Sequence, residues 1–125
     1  MTDDSIGCIK RVISDLRFGG VELPEAVGAA ASAADIVKKI PSWVSRFSCL
    51  ADGARAWLYC EPDPAVEHGD PGQVMLDVPP GRYFIDTFDT VSRACIARES
   101  AQAPPLVIGL THTGAPILLW IRPAA

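Results

Sequence analysis

Hydrophobic residues after Trp43 recur in short runs that are separated by Gly, Pro, Asp and Ser, a pattern typical of β-strands joined by turns. Six runs between residues 54 and 122 predict strands, namely "ARAWLYC", "QVMLDV", "RYFIDTF", "RACIAR", "PLVIGL" and "APILLWI". Closely spaced strands with short connections favour an antiparallel sandwich or barrel. We therefore predict a mainly β fold, an antiparallel β-sandwich of the immunoglobulin/fibronectin-like or jelly-roll-like type.

The first part of the chain has a different pattern. We expect one domain over 1–125, with a lead-in of strand, turn and helix over 1–45 and the β-sandwich over 46–123. The segment "IGCIKRVI" alternates weakly and predicts a first strand. An alanine-rich stretch follows, and one short helix is expected roughly over 33–40, because alanine favours helices and Pro41 ends them.

Alternation along the predicted strands assigns residues to faces. Tyr83 and Ile85 share one face and are expected in the core. Trp57 and Tyr59 share one face of their strand, and Leu58 lies on the opposite face. Both faces of this strand therefore carry large apolar or aromatic side chains. Several strands are therefore apolar on both faces. Such strands are expected to be central in their sheet, or to meet the N-terminal helix or another subunit with their second face, which leaves homo-oligomerisation open.

The charge balance excludes some partners. The net charge is −4 with 49% hydrophobic and 21% charged residues, the sequence pI is about 5.0 and the mean hydropathy is +0.21. Nucleic-acid binding needs clustered Lys and Arg, which argues against it here. The apolar run 115–121 is too short to span a membrane. The acidic N-terminus "MTDDSIG" precedes no apolar leader, so a cytoplasmic location is the default expectation, and an extracellular one follows if the chain is a fragment of a secreted protein.

The four cysteines show no metal or redox spacing. Cys8, Cys49, Cys60 and Cys95 form no C-x-x-C pair, which zinc sites and disulfide oxidoreductases use. We expect buried free thiols, with a disulfide as the alternative if the chain is exported. No cofactor and no metal is predicted.

Three segments of the second half occur in a recognisable order, "LADGARAWLY", "VMLDVPPGRYFIDTFD" and "THTGAPILLWI". Over residues 46–123 they resemble the C-terminal β-sandwich accessory modules of glycoside hydrolases, including the collagen-binding-domain type. The matching positions are Ala51, Asp52, Gly53, Trp57, Leu58, Tyr59, Gly81, Tyr83, Phe88, Asp89, Leu118 and Leu119. Thr87, Thr90 and Arg93 depart from the family's turn pattern. The resemblance implies a sandwich that generally lacks catalytic acids.

Two aspartates in "DVPPGRYFIDTFDT" are candidate catalytic or binding residues. A glycosidase needs two carboxylates that flank one bond. Asp86 and Asp89 are three residues apart, so a regular strand directs them to opposite faces. We expect Asp89 to cap the following turn through backbone amides, and Asp86 to be solvated or to pair with Arg82 or Arg98.

Two histidines lie in predicted loops. His112 stands in "THTG", and His68 stands in "VEHGD" beside Glu67 and Asp70. A loop histidine can act as a base, and His with Glu and Asp can bind a divalent metal. Solvated loops are the simpler interpretation, and no catalytic residue is assigned.

We predict a non-catalytic β-sandwich module with a carbohydrate-binding or structural role, resembling accessory domains of carbohydrate-active enzymes. The candidate ligand-binding residues are Trp57, Tyr59, His112 and Asp86, since aromatic faces stack on sugar rings. The partner would be a glycan or a protein. One alternative is a small enzyme or ligand-binding protein that uses His68, His112, Asp86 and Asp89. The other is a soluble protein that acts by homo-oligomerisation.

Overall fold

The computed structural model describes residues 31–32, 34–52, 55–92 and 94–124. These residues form nine strands: β1 Ala31–Ser32, β2 Val37–Lys39, β3 Val44–Asp52, β4 Arg55–Pro62, β5 Pro71–Leu76, β6 Gly81–Asp89, β7 Ala94–Ala103, β8 Leu106–Thr111 and β9 Ile117–Pro123. The strand predicted at "IGCIKRVI" lies outside them. Within the described residues no helix is long and apolar enough to cross a membrane.

The strands form two antiparallel sheets, as predicted. The larger sheet has the order β1-β3-β4-β9-β6-β7, and the smaller has the order β2-β5-β8. The six predicted strands correspond to β4 to β9. β3 is a strand that the sequence pattern does not single out, and it pairs with β4 through eight residues from Val44 to Asp52. The mainly β, sandwich-like fold is therefore confirmed.

The helix predicted over 33–40 is wrong. Ala34–Ile36 forms a single 3-10 turn, and Val37–Lys39 forms β2, which pairs with β5. The Asp77 N–H donates to the Ile36 carbonyl at 2.8 Å, which extends this link. An isolated short helix is marginal in water, because nucleation is costly. Pairing with β5 satisfies the same backbone groups and brings the apolar side chains onto the core, so tertiary pairing overrides helix propensity.

The hydrophobic core lies between the two sheets. Alternation along β5 and β6 works as predicted, since Val74, Leu76, Tyr83 and Ile85 are all buried there. The Tyr83 hydroxyl donates to the Pro79 carbonyl at 2.7 Å, so the ring is buried without an unpaired polar group. The other large buried members of this core are Trp43, Leu58, Leu106, Ile108, Ile117, Leu119 and Ile121.

The larger sheet is also buried on its outer face, the face directed away from the smaller sheet. Leu50, Trp57, Phe88 and Leu118 are each 0% exposed, yet none belongs to the core between the sheets. This burial arises within the single chain. No second subunit is needed to cover these side chains, so the two apolar faces of the central strands are no argument for an oligomer.

Gly72 on β5 has no side chain, and Pro41 and Trp43 pack into the space that a side chain would fill. A Cβ atom at this position would lie 2.4 Å from Pro41 Cβ and 3.1 Å from Trp43 Nε1. We therefore expect Gly72→Ala to lower the free energy of unfolding by about 1–3 kcal/mol through overpacking, measured by urea denaturation. Gly109→Ala on β8 is the matched control, because a Cβ atom there meets nothing within 4 Å. Equal effects of the two substitutions would contradict the overpacking argument.

Candidate functional site

One row of residues crosses the outer face of the larger sheet and changes from apolar to ionic. The register aligns Leu50 with Trp57, Trp57 with Trp120, Trp120 with Asp86, and Asp86 with Arg98. Directly paired residues on one sheet face lie close enough for their side chains to interact. The row therefore places a carboxylate and a guanidinium at the β6–β7 end of an aromatic surface.

An open depression of about 380 Å³ lies at this end of the face. We call it the arginine–aspartate depression, and it is lined by Phe84, Asp86, Arg98, Glu99, Ser100 and Arg122. All six residues belong to the neighbouring strands β9, β6 and β7. A site built on paired strands is held by their hydrogen bonds rather than by loops.

Asp86 is the buried anion of this depression. The residue is 4% exposed, and its Oδ2 atom lies 3.4 Å from Arg122 Nη1 and 4.0 Å from Arg98 Nε. Of the two alternatives that the sequence left open for Asp86, solvation or an arginine partner, the structure shows the pairing with Arg98. A side-chain hydrogen bond with Cys95, the charge of Cys95 and the charge of Asp86 all raise the pKa of the Arg98 guanidinium.

Aromatic rings surround the second arginine. The Arg122 guanidinium carbon lies 4.0 Å from the centroid of the Trp120 ring and 5.6 Å from that of Phe84. Both distances fall within the range of cation–π attraction. Phe84 is 43% exposed and is one of three exposed large apolar residues in the part of the chain that the structure describes. The depression thus combines an exposed ring, two cations and a buried carboxylate.

Trp57 and Tyr59 share the outer face of β4, as alternation predicts. Trp57 is 0% exposed and Tyr59 is 9% exposed. Stacking on a sugar requires an open ring face. In this conformation neither ring offers one to a ligand, so their use as a binding surface stays a prediction that the burial does not favour.

His112 is brought together with His68 and Trp43. The His112 ring centroid lies 5.3 Å from that of His68 and 5.0 Å from that of Trp43. The Gly114 N–H donates to His112 Nδ1 at 2.9 Å, so Nε2 carries the ring proton and donates it to the Asp63 carbonyl at 3.3 Å. Both ring nitrogens are therefore hydrogen-bonded to backbone groups and not to a carboxylate.

The backbone of His112 also forms hydrogen bonds that link two loops. Its carbonyl accepts the Gly69 N–H at 2.7 Å, and its N–H donates to the Asp70 carbonyl at 2.9 Å. His112 is 2% exposed. These contacts fasten the loop after β4 to the connection between β8 and β9. The alternative of a small enzyme needs His68, His112 and Asp86 in one site. The two histidines lie together here, whereas Asp86 lies with the arginines of the depression.

Asp89 caps the turn after β6, as predicted. Its Oδ1 atom accepts the N–H groups of Val91 and Ser92, each at 2.9 Å. An aspartate that binds the amides two and three residues onward forms the Asx-type turn expected of this residue. The carboxylate of Asp89 is thus engaged in the fold and does not line the depression.

The described cysteines Cys49, Cys60 and Cys95 are free. Burial, followed by the charge of Asp35, raises the pKa of Cys49 to about 12, and burial followed by the charge of Cys49 raises that of Cys60 to about 12. Since the thiolate is the nucleophile, these two thiols are inert. Among the described residues, no three His, Cys, Asp or Glu side chains are grouped so that they could hold a metal ion.

Sequence reasoning found Asp86, but it did not name Phe84 as a site residue and it missed Arg122 altogether. Phe84 and Asp86 share a face of β6 by alternation, which the sequence shows. Arg122 joins them only because β9, the last strand, inserts between β4 and β6. The available signal was an arginine at the end of an apolar strand, but its neighbour depends on strand order.

Comparisons with known proteins show a similarity in fold. No protein-family model matches the sequence, and no curated protein matches it. A solved structure described as "Glycoside hydrolase" is similar in fold. The TM-score is 0.50 at 8% sequence identity, and the match covers 98% of this chain and 25% of that one. This chain thus spans about a quarter of that structure's length. At this identity the similarity concerns the fold alone, and the module type stays a prediction.

Proposed function

We propose that this chain is a non-catalytic β-sandwich module that binds carbohydrate in the arginine–aspartate depression. The observation that carries the proposal is the exposed Phe84 ring beside the buried Asp86 carboxylate and its arginines. A ring face can stack on the apolar face of a pyranose, while charged groups hydrogen-bond its hydroxyls more strongly than neutral groups do.

The fold similarity supports the same function without deciding it. A segment of about a quarter of a "Glycoside hydrolase" structure has the fold of this chain. The engagement of Asp89 in a turn and of His112 in backbone contacts agrees with a role in binding rather than in catalysis.

The proposal is tested by affinity electrophoresis of the chain through gels that contain soluble polysaccharides, followed by calorimetry on oligosaccharides of any that retard it. Phe84→Ala should weaken binding at least tenfold, about 1.4 kcal/mol, while Phe84→Tyr should keep most of the affinity. Val91→Ala is the matched control, because Val91 is exposed and apolar but lies in the turn beyond β6.

Two results would overturn this function. If no polysaccharide retards the folded chain, or if Phe84→Ala and Val91→Ala bind alike, the depression is not a carbohydrate site. Release of reducing sugar from the same polysaccharides would contradict the non-catalytic part, and Asp86 with Glu99 would then be the carboxylates to replace first.

A further inference from the structure

Arginines concentrate on the outer face of the larger sheet, although the chain as a whole is acidic. In a chain with net charge −4, the strand register directs all five arginines of the described residues to this face, namely Arg46, Arg55, Arg82, Arg98 and Arg122. Arg55 lies over the Trp57 ring at 5.9 Å, and Arg82 Nη1 donates to Ser100 Oγ at 3.1 Å. Arg82, Arg98 and Arg122 therefore lie at the β6–β7 end of this face, whereas Arg55 lies over the buried Trp57 ring on β4.

The two guanidinium groups of the depression, Arg98 and Arg122, share the buried Asp86 carboxylate, and Glu99 is the other anion of the lining. Arg98 and Arg122 both approach the same oxygen, Oδ2 of Asp86. Each guanidinium has five N–H donors and no acceptor. Arg98 contacts Asp86 through Nε, which leaves its terminal amino groups outside this ion pair, and 69% of its side chain is exposed. Arg122 Nη1 is buried and pairs with Asp86 at 3.4 Å, so the donors that a ligand can reach are those of Arg98.

The exposed guanidinium of Arg98 distinguishes between classes of sugar. A neutral sugar offers hydroxyls, which sites usually hold with both acceptors and donors. A carboxylate or sulfate ester offers only acceptors and pairs with a guanidinium through two parallel hydrogen bonds. The exposed terminal donors of Arg98 beside the Phe84 ring match a ring that carries such an anionic group.

We propose that the arginine–aspartate depression selects an anionic glycan, in which the sugar ring stacks on Phe84 and its carboxylate or sulfate group binds Arg98. This inference rests on the proposed carbohydrate-binding function and narrows it to one substrate class. The neighbouring cation Arg82, on β6 beside the depression, would meet a further charged unit of the same polymer.

The test compares charged polymers with their neutral counterparts. Polygalacturonate against its methyl ester probes the carboxylate, and carrageenan against agarose probes the sulfate ester. The charged member of at least one pair should bind at least tenfold more tightly, and its affinity should fall as the salt concentration rises. Arg98→Gln should reduce that preference at least fivefold. Arg46→Gln is the matched control, since Arg46 is 68% exposed and pairs with Glu61 outside the depression.

The outcomes separate this inference from the function on which it rests. If neutral polymers bind as tightly as charged ones and Phe84→Ala still abolishes binding, the module binds carbohydrate but the anionic selection is wrong. If nothing binds, both proposals fail. Equal binding to dextran sulfate and single-stranded DNA, with no loss in Phe84→Ala, would show general attraction of polyanions and would overturn the inference.

Discussion

Replacing Trp57 by alanine is expected to lower the free energy of unfolding by about 3–5 kcal/mol, as for other fully buried tryptophans. Trp57 is 0% exposed on the central strand β4, and the register pairs it with Leu50 and Trp120. Truncation would leave a cavity that relaxed backbone could not fill, because β4 is paired on both sides. Urea denaturation followed by circular dichroism measures the change without depending on tryptophan fluorescence.

Trp57→Phe provides the control for this prediction. The indole Nε1 of Trp57 is buried without a hydrogen-bond partner, so phenylalanine keeps most of the apolar contact and removes an unpaired donor. We expect a loss of about 1–2 kcal/mol, well below that of alanine. If Trp57 instead formed an open stacking surface, Trp57→Ala would change stability by less than about 0.5 kcal/mol and would abolish glycan binding.

Replacing Asp86 by alanine is expected to destabilise the chain by about 2–4 kcal/mol, somewhat less than breaking a fully buried ion pair costs. The reason is that Arg122 would lose the carboxylate with which it pairs. The Arg122 side chain is 28% exposed, its Nη1 lies 3.4 Å from the Asp86 carboxylate, and that atom is buried. Without the carboxylate its charge would be partly desolvated and uncompensated against the Trp120 ring.

A double-mutant cycle isolates this effect. Arg122→Met removes the cation and keeps an apolar stem over Trp120, so the double variant with Asp86→Ala should be more stable than Asp86→Ala alone. Arg98→Gln should cost less than about 1 kcal/mol, because the Arg98 side chain is 69% exposed and its contact is long at 4.0 Å. Additive effects of the Asp86 and Arg122 substitutions would show that the pair contributes no coupling energy.

The local sequence predicts most strands and one turn. The runs that become β4 to β9 alternate or are continuously apolar between Gly, Pro and Asp, and these signals act within a few residues. Asp89 is also correctly placed in its turn, because its carboxylate binds amides only two and three residues away. Such features depend on neighbouring residues and can be predicted without the fold.

Local sequence signals did not predict the structure of two segments near the N-terminal end of the described residues. β3 alternates Phe47, Cys49 and Ala51 on the core side, but Arg46 and Ser48 interrupt the apolar run. The segment predicted as a helix forms β2 instead, because β5 offers it backbone partners. Both outcomes depend on pairing with strands distant in sequence, which local propensity does not contain.

The sequence by itself determined that the chain is mainly β, that its central strands are apolar on both faces, and that its charge does not favour nucleic acid. Only the tertiary structure decided that Trp57 is buried rather than exposed, that the His112 ring is hydrogen-bonded to backbone groups, and that Asp86 forms an ion pair with Arg122. The physical reason is strand order. Insertion of β9 between β4 and β6 brings residues 86 and 122 into contact, and no pattern within either segment specifies its neighbour.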